Sequence, residues 1–320
     1  MRDELERWIG EQSGSTVCVA ELERITTGHS RGNWLLQLDD GSPGLPGSRF
    51  VVRVEQGGVF GTSGADEFEF MQAVGRLGFP VARVRWSEPT GQVIGQPFFV
   101  MDFVEGGVTT DREDRSLAPD LAIDFVRRLD ELHRLDWAGV LHGPAPDDAT
   151  HVQIERWADV YRSSSARLVP LLEEGAAWLH RYAPRLERVA LVHGDPGPGN
   201  FVHDAHKVLA FTDWEFSHLG DPTEDWSFLL SMRGARTMPV DDWLDLVRTE
   251  AGVEVGEQQL HYWKVFNFFK GACANRSCLR AFAGANPAPN MALIGTVLQQ
   301  SFMRQMADLV GQHPAQGGRA

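Results

Sequence analysis

Apolar and polar positions alternate in two different rhythms along this chain, and the change falls near residue 105. Ahead of it, Leu5, Trp8 and Ile9 give one short amphipathic helix, and period-two or continuous apolar runs predict strands at 17–25, 33–38 and 49–54. Between the last two, DDGSPGLPGS is turn chemistry and reads as a hairpin loop. In ADEFEFMQAVGRLG, Phe68, Met71, Val74 and Leu77 line one helical face, stopped by Gly78 and Pro80. VARVRW and QPFFVMDFV predict two more strands, and Glu105-Gly106-Gly107 reads as a hinge. Beyond it Leu121, Phe125, Leu129 and Leu132 set a helical period over 117–135. Further helices are predicted at 152–168, 171–182, 224–232, 241–251, 258–282 and 291–310. Among them lies one β-and-loop block, VALVHGDPGPGNFVHD, a turn at Ala205-His206, then KVLAFTDWEF. No internal repeat is visible.

This division implies an α+β chain of two lobes, a β-rich one over 1–104 and a helical one over 105–320. Hydrophobic content of 42 % with 23 % charged residues is ordinary globular composition. The opening MRDELERWIG lacks the parts of a secretory signal, and no apolar run reaches the roughly 18 residues of a membrane span. Three cysteines make no disulfide framework, so a cytoplasmic protein with reduced thiols, not engaged with membranes, is expected. A formal charge of −14 argues against nucleic acid as a partner, because phosphate backbones are held by clustered Lys and Arg. The charge is uneven, however: from 258 to 307 there is no Asp or Glu, while Lys264, Lys270, Arg276, Arg280 and Arg304 all fall there.

The chemistry concentrates in the β-and-loop block. An apolar strand ending at His193-Gly194-Asp195 exposes a carboxylate at a strand end. Asn200 follows five residues later, and Asp213 closes the second apolar run eighteen residues after Asp195. Pairing these two strands as a hairpin would bring all three side chains to one edge. They would offer a base and hard oxygen ligands suited to magnesium. Phosphoryl transfer needs those parts, and protein kinases use them in that order. Two turns capped by Asp and Asn are the plainer reading of the same letters. A phosphohydrolase with a metal on His193, Asp195, Asp213, His218 and Asp221 is another, although it leaves Asn200 and the front lobe without a purpose.

LVHGDPGPGN and FTDWEFSHLGDPTED resemble the catalytic loop and metal-binding segment of the aminoglycoside phosphotransferase family. The likeness runs from about Ile25 to Arg304. It implies a protein-kinase-like fold that uses ATP and Mg2+, with Asp195 as catalytic base and Asn200 and Asp213 as metal ligands. His193 would brace the loop, Glu215 would support the site or lie at the surface, and Asp221 and Asp225 would be structural. The three lysines stand at 207, 264 and 270, so the cation that grips the triphosphate in the front lobe would be Arg53, partnered by Glu67. Ser30 in TTGHSRGNW would touch phosphate, unless that loop is a plain β-turn. The backbone of Asp102, Phe103 and Val104 would meet adenine.

The resemblance implies an acceptor that is a small molecule bearing a hydroxyl. The acid-free stretch fits an anionic or partly apolar one, with Lys270 and Arg276 as its cationic contacts. WKVFNFFKG and LDELHRLDWAGVL are similar to the subgroup found alone or joined to acyl-CoA dehydrogenases, which implies hydroxyacyl-CoA. An aminoglycoside or macrolide antibiotic as acceptor, or a nucleotide-binding scaffold without turnover, remain the alternatives.

Overall fold

A computed structural model describes residues 1–25, 31–39, 42, 45, 49–55, 59–109, 117–284 and 289–312. The chain opens with helix α1 (Arg2–Ser13), which ends on Gly14 in the left-handed conformation. Strands β1 (Val19–Ile25), β2 (Arg31–Leu38) and β3 (Arg49–Glu55) follow. Helix α2 (Gly64–Arg76) begins where the Ser63 hydroxyl accepts from the Ala65 and Asp66 amides. Strands β4 (Val84–Glu88) and β5 (Phe98–Asp102) complete an antiparallel sheet of order β1-β2-β3-β5-β4. The strand expected over VARVRW therefore starts three residues late, and Val81 instead bridges to Phe211.

The side-chain period of two decides what this sheet presents. Val52 and Val54 of β3 point into a core with Leu5, Trp8, Leu36, Phe98 and Val100. Arg53, between them, must face the other way, toward α2 and the rest of the molecule. On α2 the buried positions are Gly64, Glu67, Phe70, Met71, Ala73 and Val74. Phe70 takes the place expected for Phe68, which with Leu77 is only partly buried. A charged residue thus sits inside the apolar face of α2, aimed at the charged residue of β3.

After the 105–107 segment come α3 (Pro119–Arg134), α4 (Pro146–Ser163) and α5 (Pro170–Tyr182), each with proline in its first turn. Four short strands follow: β6 (Ala190–Val192), β7 (Phe201–His203), β8 (Val208–Phe211) and β9 (His218–Gly220). Helices α6 (Thr223–Phe228), α7 (Val240–Leu246), α8 (Glu257–Ala283), α9 (Pro289–Leu293) and α10 (Gln299–Gly311) end the chain. The hairpin expected between the strands leading to Asp195 and Asp213 does not form. β6 pairs with β9, and β7 pairs with β8. The physical reason is the loop after β6, which turns back over 193–200 and hands the chain to β7, the nearer partner for β8.

At the junction of the two parts, Gly107 and His203 exchange backbone hydrogen bonds of 2.8 and 2.9 Å. Gly106 is needed there because a Cβ would lie 2.5 Å from Val202 and 2.8 Å from the His203 carbonyl oxygen. Phe125 on α3 packs its ring against Phe201, Phe211 and Trp243, so one side chain supports the β7–β8 ribbon from below. It is fully buried. Phe125→Ala should therefore cost about 3–5 kcal/mol, read as a lower urea midpoint with unchanged slope. An unaltered midpoint would mean that the ribbon does not depend on this contact.

Candidate active site

Strand β6 stops at Val192 because the next residues cannot continue a ladder. Gly194 has φ 83°, and a Cβ there would lie 2.5 Å from the Phe216 carbonyl oxygen. The turn is held from beneath. The Asp225 carboxylate accepts from the His193 and Gly194 amides, both at 2.8 Å, and lies 2.9 Å from His133 Nε2. Lys270 Nζ donates to the Gly194 carbonyl and to Glu224, each at 2.6 Å. Burial alone would raise the Asp225 pKa, but the His133 hydrogen bond and the His193 amide outweigh it and hold the value below the usual range.

His193 is fully buried. Its Nδ1 accepts from the Asp195 amide at 3.3 Å and its Nε2 faces the Thr212 carbonyl at 3.1 Å. Burial depresses its pKa, consistent with a neutral ring in a structural role. That ring therefore joins the Asp195 turn to the segment entering Asp213. Asn200 makes the second link: its Nδ2 donates to both the backbone oxygen and Oδ2 of Asp195 at 2.8 Å, and its backbone carbonyl accepts from the Thr212 amide at 2.9 Å. Asp213 itself has φ 65°, a left-handed conformation costing of order 1–3 kcal/mol outside glycine. Such strain persists where the surroundings impose it, here around a carboxylate at the edge of the cleft.

The front sheet reaches the same place through Arg53. Its guanidinium lies 2.9 Å from Glu67 Oε1 and 2.6 Å from Asp213 Oδ1. Withdrawal from water would lower the Arg53 pKa, yet Glu67, Asp213 and Glu215 together hold it above the ordinary value. Arg53 in turn keeps Asp213 ionised against its own desolvation. A second buried arginine, Arg31, lies 3.0 Å from Glu67 and 3.7 Å from Glu215. Glu215 is buried rather than at the surface, and burial followed by repulsion from Asp213 pushes its pKa up to about 8.

The structure brings Asp195, Asn200, Asp213, Arg53 and Glu67 into one connected set, and leaves other expected residues outside it. Lys270 is only 2 % exposed and is committed to Glu224 and the Gly194 carbonyl, so it cannot meet an acceptor. Arg276 donates to the Ser165 hydroxyl at 2.8 Å. The acid-free stretch placed them together in sequence, but α8 turns Lys270 inward beneath the loop. The amides of Asp102 and Phe103 are already used by the Arg83 and Arg49 carbonyls. Of the three, the Val104 amide is the one for which no such backbone bond is seen among the described residues. Asp102's carboxylate is taken by Arg85. Ser30 lies outside the described residues.

Two members of the site gave no readable signal, Arg31 and Arg233, while Asp225, expected to be structural, is the anchor of the loop. Arg233 Nε and a terminal nitrogen donate to the two carboxylate oxygens of Asp195 at 2.6 and 2.5 Å. Asp221 is a structural group, accepting from the Thr223 amide and from Trp263 Nε1.

The donor set fits a hard divalent cation. With the Asn200 nitrogen turned to Asp195, its amide oxygen is the atom left for a metal, and Asp213 adds a carboxylate held ionised. No cluster of three or more His, Cys, Asp or Glu able to hold a metal exists among the described residues. His193 and His218 are instead engaged with protein groups, which disfavours the phosphohydrolase alternative.

A β-sheet leading into a mostly helical part, with an Asp, an Asn and a second Asp below an Arg–Glu pair, defines the kinase-like phosphotransferases. Residues 21–264 match the phosphotransferase enzyme family (APH), and the chain belongs to that family. It is 28 % identical over 225 residues to mouse acyl-CoA dehydrogenase family member 10, a match covering 65 % of this chain and 21 % of that protein. Mouse acyl-CoA dehydrogenase family member 11 matches at 26 % identity over 79 % of this chain and 38 % of its own length. The chain thus spans about a fifth to two fifths of these curated relatives. In fold it is similar to a thermostable mutant of aminoglycoside phosphotransferase APH(4)-Ia in a ternary complex with AMP-PNP and hygromycin B. That likeness has TM-score 0.63, 16 % identity and coverage of 94 % of this chain and 98 % of the other.

Asp225→Asn keeps the shape and removes one charged acceptor, so near neutral pH it should cost about 1.5–3 kcal/mol for each charge-assisted bond lost. Because the folded Asp225 pKa is lowered, its stabilisation is present above the ordinary Asp value and is lost as pH falls through the folded one. Urea titrations of wild type and variant should therefore converge only in acid. A gap that is equally wide at every pH would contradict an ionised Asp225.

Proposed function

We propose that this protein is an ATP- and Mg2+-dependent small-molecule kinase, with residues 1–104 as nucleotide lobe and 105–320 as catalytic lobe. Its acceptor is an alcohol. The observation that carries the reading is the linked set Glu67–Arg53–Asp213–Asn200–Asp195, in which the front sheet and the loop after β6 converge on one edge. An ion between Asn200 and Asp213 would neutralise charge on the triphosphate. Arg53 would bind phosphate oxygen while Glu67 keeps its fork oriented. Val104 would meet the base.

Asp195 orients the acceptor hydroxyl. The acceptor oxygen forms a bond to the γ-phosphorus as the bond to the β–γ bridging oxygen breaks. The electron pair of that bond leaves with ADP, and the hydroxyl proton passes to Asp195 and then to solvent. An intact Asp195, Asn200 and Asp213 speaks for turnover over a non-catalytic scaffold.

For the acceptor we favour an anionic or partly apolar hydroxy compound, with hydroxyacyl-CoA as first candidate. The relatives' designation as acyl-CoA dehydrogenase family members supports this class. Aminoglycosides and macrolides are the second candidates, supported by the APH(4)-Ia complex with hygromycin B. Against a polycation stands Arg233, whose guanidinium rests on Asp195, where an acceptor's ammonium groups would crowd it.

Incubation with Mg-ATP and a panel of hydroxyacyl-CoA thioesters, hydroxy acids, aminoglycosides and macrolides should yield one phosphorylated class, detected by mass spectrometry. Asp195→Ala should slow that transfer by roughly 10²–10⁴-fold. Undiminished transfer by this variant would exclude Asp195 as the base.

A further inference from the structure

Asp195 is not waiting open for an alcohol. Oδ1 takes Arg233 Nε at 2.6 Å, and Oδ2 takes the Arg233 terminal nitrogen at 2.5 Å and Asn200 Nδ2 at 2.8 Å. The loop is built around this arginine. A Cβ on Gly197 (φ 137°) would lie 2.8 Å from Arg233 Cβ, and one on Gly199 (φ 98°) would lie 3.2 Å from an Arg233 terminal nitrogen. The Pro198 carbonyl between them accepts from the same guanidinium at 3.3 Å. The Pro-Gly-Pro-Gly run is thus a cradle for Arg233 as well as a turn. Arg233 ends a π-helical turn, Leu229–Arg233, the wider winding that recurs at functional sites. Its side chain is 29 % exposed against 10 % for Asp195, so it lies on the open side of the carboxylate.

We propose that Arg233 is the acceptor-recognition residue of this kinase, and that it selects alcohols carrying an anionic group, carboxylate or phosphate, a few bonds from the reacting hydroxyl. The inference rests on the kinase reading above but not on its hydroxyacyl-CoA candidate, whose neutral thioester lacks such a group, and it adds the charge of the substrate next to its hydroxyl. A neutral alcohol approaching Asp195 must break charge-assisted bonds to Arg233 and offers nothing in exchange. An anionic acceptor supplies a second carboxylate or phosphate for the guanidinium fork, so the hydroxyl meets Asp195 as Arg233 turns to the anion. Water, lacking that group, leaves the fork closed, and ATP hydrolysis without acceptor is suppressed. In the transfer itself the acceptor oxygen bonds to the γ-phosphorus, ADP departs with the electrons of the broken P–O bond, and Asp195 receives the proton. Arg233 exchanges no proton.

The test compares wild type with Arg233→Gln and Arg233→Lys on paired acceptors, 3-hydroxybutyrate against butane-1,3-diol and glycerol 3-phosphate against glycerol, with 3-hydroxybutyryl-CoA alongside. Wild type should favour the anionic member of a pair by about tenfold or more in kcat/KM, the discrimination a charged hydrogen-bonding site imposes. Arg233→Gln should bring the two members within about threefold, and Arg233→Lys should restore part of the preference. The two pairs separate carboxylate from phosphate. Basal Mg-ATP hydrolysis, which needs no acceptor, should rise about fivefold or more in Arg233→Gln once Asp195 is released. A merely structural Arg233 would lower every rate in proportion and leave the ratios and hydrolysis unimproved, which overturns the proposal. So would a wild-type preference for the diol or the thioester that the substitution does not alter. Failure of the underlying kinase reading looks different: wild type would neither bind nor hydrolyse Mg-ATP.

Discussion

The carboxylate of Asp225 has no contact with solvent, and two of its hydrogen bonds come from consecutive backbone amides, those of His193 and Gly194. Those amides belong to a turn that leaves a strand abruptly and so have no ladder to join. An unpaired buried amide costs on the order of 1–3 kcal/mol, and an isolated buried carboxylate costs more. Each thus makes the other tolerable. With this pairing made, helix α6 fixes the turn that leads to Asp195, whose carboxylate is then held by Asn200 and Arg233. Lys270 and Glu224 repeat the device one layer out, closing the Gly194 carbonyl with a buried ion pair. Acidic residues that look like surface or capping groups in the sequence thereby become the floor of the site.

A second constraint spans the two parts of the molecule. Arg53 alternates out of an apolar strand and finds Glu67 on α2 and Asp213 beyond β8. Since Asp213 is also tied through Thr212 to His193 and Asn200, a shift of the front sheet would be felt at Asp195. The cluster of Arg31, Arg53, Glu67, Asp213 and Glu215 carries more acid than base. Glu215, the member pushed toward its neutral form, absorbs that excess. A divalent ion, were Asn200 and Asp213 to hold one as proposed, would change this balance and so couple to the contact between the lobes.

Arg233 completes the picture from the opposite side of Asp195. One arginine, Arg53, rests on Asp213 from the front sheet and another, Arg233, rests on Asp195. The two carboxylates are thus bracketed by positive charge, which would suit the proposed transfer, whose phosphoryl oxygens carry spread negative charge.

Much of this was legible in the chain itself. The switch from period two to 3.6, the apolar lead-ins to Asp195 and Asp213 and the Asp-x4-Asn spacing are local properties, carried by a few neighbouring residues each. So is the alternation that sets Arg53 on the opposite face from Val52 and Val54. The partners across the fold were not legible. The strands beside Asp195 and Asp213 pair with 218–220 and 201–203 rather than with each other, because the 193–200 loop reorders which strand is nearest. Lys270 faced inward although its stretch of sequence carries only positive formal charges, since the carboxylate that neutralises it stands forty-six residues earlier, at Glu224. Arg233 reaches Asp195 across thirty-eight residues, and the glycines that admit it read only as turn formers. Residue types and local spacing decided which chemistry the chain can perform. Burial and long-range charge pairing, which exist only once helices and strands have packed, decided which of its ionisable groups remain available to perform it.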